Sequence, residues 1–289
     1  MTTMTNLATA VTGGVDTHGQ THHAAVLDHV GRELGDREFP TTPSGYRALL
    51  SWLRGHGPLE RVGVEGTGTY GAALSRHLRA ADVEVVEVDR PDRKARRAKG
   101  KSDPLDAYSA ARAALSGRAT GAPKARDGRV EAIRALRVAR SSAVKARSQT
   151  TNQLKALLVT APEQVREQLR GLTTTALIAA CAQLRLAGDV ADPKHATKTA
   201  LRRLARRHQF LSEEIGDADA ELRTLVTAAA PRLLALPGVG AEVAGQLLTT
   251  LGDNPDRLHS EAAFAHLCGV APHPSQQRPN PTTPTQPRR

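Results

Sequence analysis

Four carboxylates stand where the chain changes character. Asp16 ends the strand-like run "GGVD", Glu65 ends "RVGVE", and Asp103 and Asp106 lie in "KSDPLDAYSAA". The last two are three residues apart, so on a helix both leave the same face one turn apart. Strand-end acids converging with such a pair would form an oxygen-rich pocket. Mg²⁺ suits it, being a hard octahedral ion held by a few carboxylates and by substrate phosphate oxygens. Two such ions, about 3.5–4 Å apart, polarise a phosphodiester and stabilise both its attacking and its leaving oxygen. Taken singly, each acid has a plainer use: Asp103 ahead of Pro104 fits a helix N-cap with proline at N1, and Glu65 fits a solvated strand end. What favours the metal reading is the joint placement of all four beside "RPDRKARRAKGK", where residues 90–101 hold seven basic side chains and one acid. Arg96, Arg97, Lys99 and Lys101 in that run are candidate phosphate contacts. His18, His22 and His23 follow Asp16 closely but find no matching ligand spacing elsewhere, and read as polar strand and turn residues.

To bring these acids together the chain must put strand ends next to a helix start. From about residue 13 to 117 short β-type runs alternate with helical ones. "GGVDTHGQTHHAAVLDHVGREL" offers two strands around a polar turn and "REFPTT" a third; "SGYRALLSWLRGHG" is a helix with a glycine stop. "RVGVEGTG" is a strand running into a glycine-rich turn, "YGAALSRHLRAA" a helix, "VEVVEVD" a strand, and a helix follows over about 102–115. Three strands, helix, strand, helix, strand, helix is an α/β layer pattern.

Beyond about residue 130 the strands stop. "RVEAIRALRVARSSAVKARSQTTNQLKALL" spaces Ile133, Leu136, Val144, Leu154 and Leu157 among Arg and Lys, a long amphipathic helix with a basic outer face that packs on a partner helix. Further helical stretches centre on "KTALRRLARRHQFLSEEI" and "AELRTLVTAAAPRLL". A third unit begins at "ALPGVGAEVAGQLLTTLGD", where residues 237–240 join two short helices. This turn resembles a helix-hairpin-helix motif, in which Gly238 and Gly240 would let backbone N–H groups face a phosphate; a tight helix connection would use the same glycines.

At 289 residues the chain is long enough for two ordinary domains. Forty Lys and Arg against 29 Asp and Glu give a formal charge of +11, which favours a polyanionic partner, nucleic acid first. One Trp, three Tyr and three Phe are too few for a base-stacking platform, so phosphate contacts would dominate. Two cysteines make neither a disulfide scaffold nor a zinc site. The start has no signal-peptide pattern and no long apolar run, so a soluble cytoplasmic protein with no membrane partner is expected.

"GVDTHGQTHHAAVLD", "GVEGTGTYG", "KSDPLDAYSAA", "LPGVG" and "SEAAFAHLCGVAP", in that order from about residue 14 to 272, resemble the DEDD-type transposases of bacterial insertion sequences, the insertion-sequence one-ten family of bridge-RNA-guided recombinases. The resemblance implies a ribonuclease-H-like (RuvC-like) domain over 12–118, related to Holliday-junction resolvases, with its acidic tetrad at Asp16, Glu65, Asp103 and Asp106. It implies a helical, oligomerising region over 128–230 and a C-terminal transposase domain, partial here, over 231–272. In that family a serine of the C-terminal domain attacks DNA to give a phosphoserine link, in a composite site shared between protomers. DNA, a structured bridge RNA and further copies of the chain, in a dimer or tetramer, are the implied partners.

After "LCGVAP" the family continues with a segment like P-A-S-S-G-R-T-R-x-H-R-L-N-R-G-G, which carries the serine. Here residues 274–289 read "PSQQRPNPTTPTQPRR". If Ser275 to Pro281 are encoded AGC CAG CAG CGG CCG AAC CCG, triplets begun one base later read Ala-Ser-Ser-Gly-Arg-Thr-Arg. Allowed codons from Thr282 onward continue as Pro or Arg and then His-Arg-Leu-Asn-Arg-Gly. A single-base indel between about Val270 and Ser275 explains this, making the sequence from about residue 273 out-of-frame. A disordered tail is the other reading, with six prolines and no acid among the last eighteen residues. The expectation is therefore a serine-plus-DEDD transposase in a truncated or frameshifted, inactive copy. Its rivals are a non-catalytic nucleic-acid-binding protein and a metal-dependent junction resolvase needing only the four acids. No Gly-rich P-loop with its Lys-Ser/Thr supports a phosphate-binding ATPase.

Overall fold

A strand buried along its whole length organises the first part of the protein. The computed structural model describes residues 9–88, 102–254, 258 and 260–271. β1 (Val11–Thr17) pairs antiparallel with β2 (Thr21–Asp28), which pairs antiparallel with β3 (Glu33–Pro40). On its other side β1 runs parallel to β4 (Leu59–Glu65), and β4 parallel to β5 (Glu84–Val88). The mixed sheet has the order β3-β2-β1-β4-β5. The α/β alternation read from the sequence is what forms, although the third strand begins at Glu33, earlier than "REFPTT" suggested.

The two faces of the sheet are covered differently because their residues differ in size. Val11 and Val15 of β1, Ala24 and Val26 of β2 and Val62 and Val64 of β4 share a core with Leu49 and Leu53 of α1 (Pro43–Arg54) and Leu74 and Leu78 of α2 (Ala72–Ala80). The start of α1 is fixed by Pro43 in its first turn and by Thr42, whose hydroxyl accepts from the Gly45 N–H at 3.1 Å. Among the described residues the opposite face carries one helix, α3 (Asp103–Leu115). There Gly14 and Gly63 stand side by side on β1 and β4. A Cβ on Gly14 would lie 2.2 Å from the Ala111 nitrogen, and one on Gly63 2.5 Å from the Ala110 carbonyl oxygen. Glycines on the strands and alanines at 107, 110, 111 and 114 on the helix thus let two backbones approach until they touch. At the β2–β3 side, Tyr108 donates to Asp36 at 3.2 Å and Arg112 pairs with Glu33, which sets the helix's rotation.

α4 (Arg129–Val159) and α7 (Pro193–Ala229) form a long antiparallel pair. Arg129 donates to the Ala228 carbonyl, Arg140 pairs with Asp219 and Arg147 donates to Ser212, so partners descend one helix as they climb the other. Ile133, Leu222 and Val226 fill the interface at one end; at the other, Leu154, Leu201 and Ala205 join Val165 and Leu169 of α5 (Glu163–Leu169) and Leu177, Ile178 and Cys181 of α6 (Thr174–Ala182). The sequence suggested two helical stretches where one continuous 37-residue helix forms. Gly216 is a poor helix former, but Leu211, Ile215, Ala218 and Leu222 are buried around it, and that packing outweighs propensity. The expected basic outer face of α4 is also partly turned inward: Arg137 and Arg140 reach Glu242 and Asp219.

The four-residue α8 (Pro231–Leu234) and α9 (Ala241–Leu251) complete this part. α9 shares the apolar core of α4 and α7, and Asp253 just beyond it accepts the Val130 N–H at 3.0 Å, capping the start of α4. Residues 255–289 cluster as a separate unit. Its described helix, α10 (Glu261–Leu267), is capped by Ser260, which accepts the Ala263 N–H at 3.1 Å. Among the described residues no helix is long and apolar enough to cross a membrane.

Candidate metal centre

The pleat determines where the acids go. Asp16 and Glu65 each lie two residues beyond the glycines that touch α3, at the carboxyl ends of adjacent parallel strands, so both belong to the face that α3 covers. The Thr17 hydroxyl donates to the Glu65 carbonyl at 2.8 Å and ties the two strand ends together. Directly after Glu65, Gly66 takes φ +66°, open to glycine at little cost, and its carbonyl accepts the N–H groups of Thr69 and Gly71. The strand therefore ends sharply at the acid.

From the opposite side α3 presents its first turn. Ser102, with extended backbone, is the N-cap residue, so Asp103 is the first helical residue and Pro104 the second. This corrects the plainer reading of Asp103 as the cap itself. Asp106, one turn on, is 2% exposed. The close backbone contact at Gly14 and Gly63 brings this first turn to the strand ends. Asp16, His18 and Asp103 each offer a ligand atom, all within 4.8 Å of one another. His18 Nε2 lies 3.1 Å from Asp16 Oδ2 and 3.4 Å from Asp103 Oδ1.

Electrostatics makes this a place that wants a cation. Burial holds the Asp16 carboxyl above the usual carboxylate range; His18 opposes the rise, and the charges of Asp106 and Asp103 add to it. Like charges held together out of water are what a divalent ion relieves, and the donor set of carboxylates with one imidazole fits such an ion. From the sequence His18 reads as a polar turn residue. Its partner Asp103 lies far along the chain, and only the i, i+2 spacing from Asp16 at a strand end hints at its place.

His22 and His23 take other roles. His23 bonds Asp36 at 2.7 Å on the β2–β3 side. His22 is fully buried on the α1 face, stacked on Tyr46 with ring centroids 5.7 Å apart, and burial pushes its pKa down to about 4. Of the candidate phosphate contacts, Arg96, Arg97, Lys99 and Lys101 lie outside the described residues, as does the segment from 272 onward. Gly238 has φ +78° and Gly240 precedes α9; a Cβ at either would meet nothing within 4 Å, so the turn stands open.

Asp16 and Asp103 thus meet, with His18, where a strand of the parallel pair ends beneath a helix start, and comparison with known families adds the class of protein. Residues 13–161 match the DEDD transposase family model of IS110, described as "Transposase", and residues 230–276 match "Transposase IS116/IS110/IS902 family". The chain belongs to the IS110 family of transposases. No curated protein matches it significantly. Membership implies DNA as the partner and a divalent metal as the cofactor.

Proposed function

We propose that Asp16, Glu65, Asp103 and Asp106 are the catalytic, Mg²⁺-binding tetrad of a ribonuclease-H-like domain that acts on DNA phosphodiesters. The observation that carries this reading is the convergence of Asp16 from β1 and Asp103 from α3, with Glu65 and Asp106 on the same sheet face. The order β3-β2-β1-β4-β5, with β2 antiparallel to the parallel core strands, supports the ribonuclease-H-like assignment. A bound divalent ion there would supply Lewis-acid polarisation of a phosphodiester. The chain's own part is to hold that position: Asp16 is buried, Asp103 is half-exposed and open to solvent, where a phosphodiester would approach, and the Gly66 turn fixes where Glu65 stops. The helix-hairpin-helix-like turn at Gly238 and Gly240 and the basic run at 90–101 serve as phosphate contacts in this reading, with the helical pair α4 and α7 as the oligomerising region and a bridge RNA choosing the DNA.

In this reading a one-base shift of frame before about Ser275 accounts for the tail, and the codons of residues 275–289 read one base later encode the serine-bearing segment that completes the family's chemistry. Residues 274–289 as they stand do not spell that segment, and on this reading covalent catalysis is lost with the serine. The test has two arms. Restoring the frame so that Pro274 is followed by Ala-Ser-Ser-Gly-Arg-Thr-Arg yields a DNA–phosphoserine adduct and transposition, whereas the present chain yields neither. An adduct formed by the present chain contradicts the reading. Mg²⁺-dependent nicking of branched DNA without any adduct, lost in Asp16→Asn, would favour a resolvase-like nuclease. DNA binding with no cleavage in either chain would favour a non-catalytic binding protein.

A further inference from the structure

The imidazole of His18 is not a member of the acidic tetrad, yet its Nε2 stands where two carboxylates from different elements meet. A histidine that only oriented one carboxylate would aim one N–H at one oxygen. Here Nε2 hydrogen-bonds Asp16 Oδ2 at 3.1 Å and also lies 3.4 Å from Asp103 Oδ1, so the same nitrogen stands beside both carboxylates. An octahedral ion with ligands at about 2.1 Å has neighbouring donors about 3.0 Å apart, and the ligand atoms of Asp16, His18 and Asp103, all within 4.8 Å of one another, are near enough to be drawn onto one ion. The rest of the side chain is free to stay in place: His18 sits in the short turn between β1 and β2, where its backbone N–H bonds the Thr21 carbonyl at 3.1 Å and its side chain is 41% exposed.

We infer that His18 is a third protein ligand of the ion held by Asp16 and Asp103, and that this nitrogen gives the site an intrinsic preference for first-row transition ions over Mg²⁺. Mg²⁺ takes oxygen donors and keeps much of its water, whereas first-row transition ions accept an imidazole donor, Fe²⁺, Ni²⁺ and Zn²⁺ more readily than Mn²⁺. The inference rests on the carboxylate site proposed above and adds a ligand and a selectivity to it. Mg²⁺ then occupies the site where it is the abundant ion, and Mn²⁺ displaces it at far lower concentration.

Mn²⁺ is the stringent probe, because it lies lowest in the affinity order of the transition series. Electron paramagnetic resonance of the full chain titrated with Mn²⁺, with Mg²⁺ as competitor, gives both affinities without any activity assay, and electron spin echo modulation reads a directly bound nitrogen. The expected result is a nitrogen coupling in the wild type that disappears in His18→Ala, with Mn²⁺ affinity falling about tenfold or more and Mg²⁺ affinity changing by less than about threefold. An unchanged melting temperature of the metal-free variant shows that the turn still folds. If Mn²⁺ binds, Asp16→Asn abolishes that binding and no nitrogen coupling is seen, the ligand assignment is overturned while the carboxylate site stands. An equal loss of both metals in His18→Ala likewise reduces His18 to a positioning residue. If Asp16→Asn leaves Mn²⁺ binding intact, the carboxylate site itself is wrong and the His18 assignment falls with it.

Discussion

A carboxylate as enclosed as Asp16 opposes folding until something neutralises it. Its folded pKa is raised, so between the ordinary value of 3.8 and the higher folded value the native state holds the proton more tightly than the unfolded chain. Stability from this group is greatest at low pH and is lost as pH rises through the folded value, so above that value the metal-free protein carries the whole penalty. Asp16→Asn should therefore raise the metal-free melting temperature by a few degrees. It should also remove the stabilisation that Mg²⁺ or Mn²⁺ gives the wild type, and a calorimetric scan with and without metal checks both signs. His22 works in the opposite direction. Its pKa falls from 6.5 to about 4 on folding, so its contribution is present above pH 6.5 and disappears on acidification towards pH 4. The drop amounts to roughly 3 kcal/mol at most. In His22→Phe, which keeps an aromatic ring against Tyr46, denaturant titrations at pH 7 and pH 4.5 should show a smaller acid loss than in the wild type; an identical loss would assign the acid sensitivity elsewhere.

At the scale of elements, the site depends on how closely one helix can lie on one sheet. Gly14→Ala puts a methyl group 2.2 Å from the Ala111 nitrogen, and backbone cannot yield as a side chain can. The variant should lose about 2–3 kcal/mol of stability and, because α3 must lift, its metal affinity should fall even though no ligand has changed. A Gly14→Ala protein with native stability and metal binding would show that α3 is not anchored there. Much of this arrangement was readable in the sequence. Strand-like runs ending in Asp16 and Glu65 and a Ser-Asp-Pro helix start are local signals, and the alanine-rich helix and twin strand glycines sit in plain view once the strands are paired. The merging of two helical stretches into α7 was not readable, because the decision at Gly216 belongs to the apolar surface of α4. Nor were α5 and α6, of seven and nine residues, since helices that short form only when Leu154 and Leu201 give them something to cover. The place of His18 beside Asp103 is not legible for the related reason that Asp103 comes from another element.

For the whole molecule, the family assignment and the formal charge of +11 both point to DNA. Part of that charge is used internally, by Arg137 and Arg140 bridging α4 to α9 and α7, so the long helices offer less free basic surface than their composition suggests. The account stands or falls on whether acids distant in the chain share one ion. Fe²⁺ exchanged into the site and treated with ascorbate and peroxide cleaves backbone only near where it binds, and mass spectrometry of the fragments locates the cuts. The account predicts cuts clustered at residues 16–18, 65–66 and 103–106 in the same protein, all suppressed by excess Mg²⁺ and absent in Asp16→Asn. Cuts at only one of these segments, or cuts indifferent to Asp16, would contradict it.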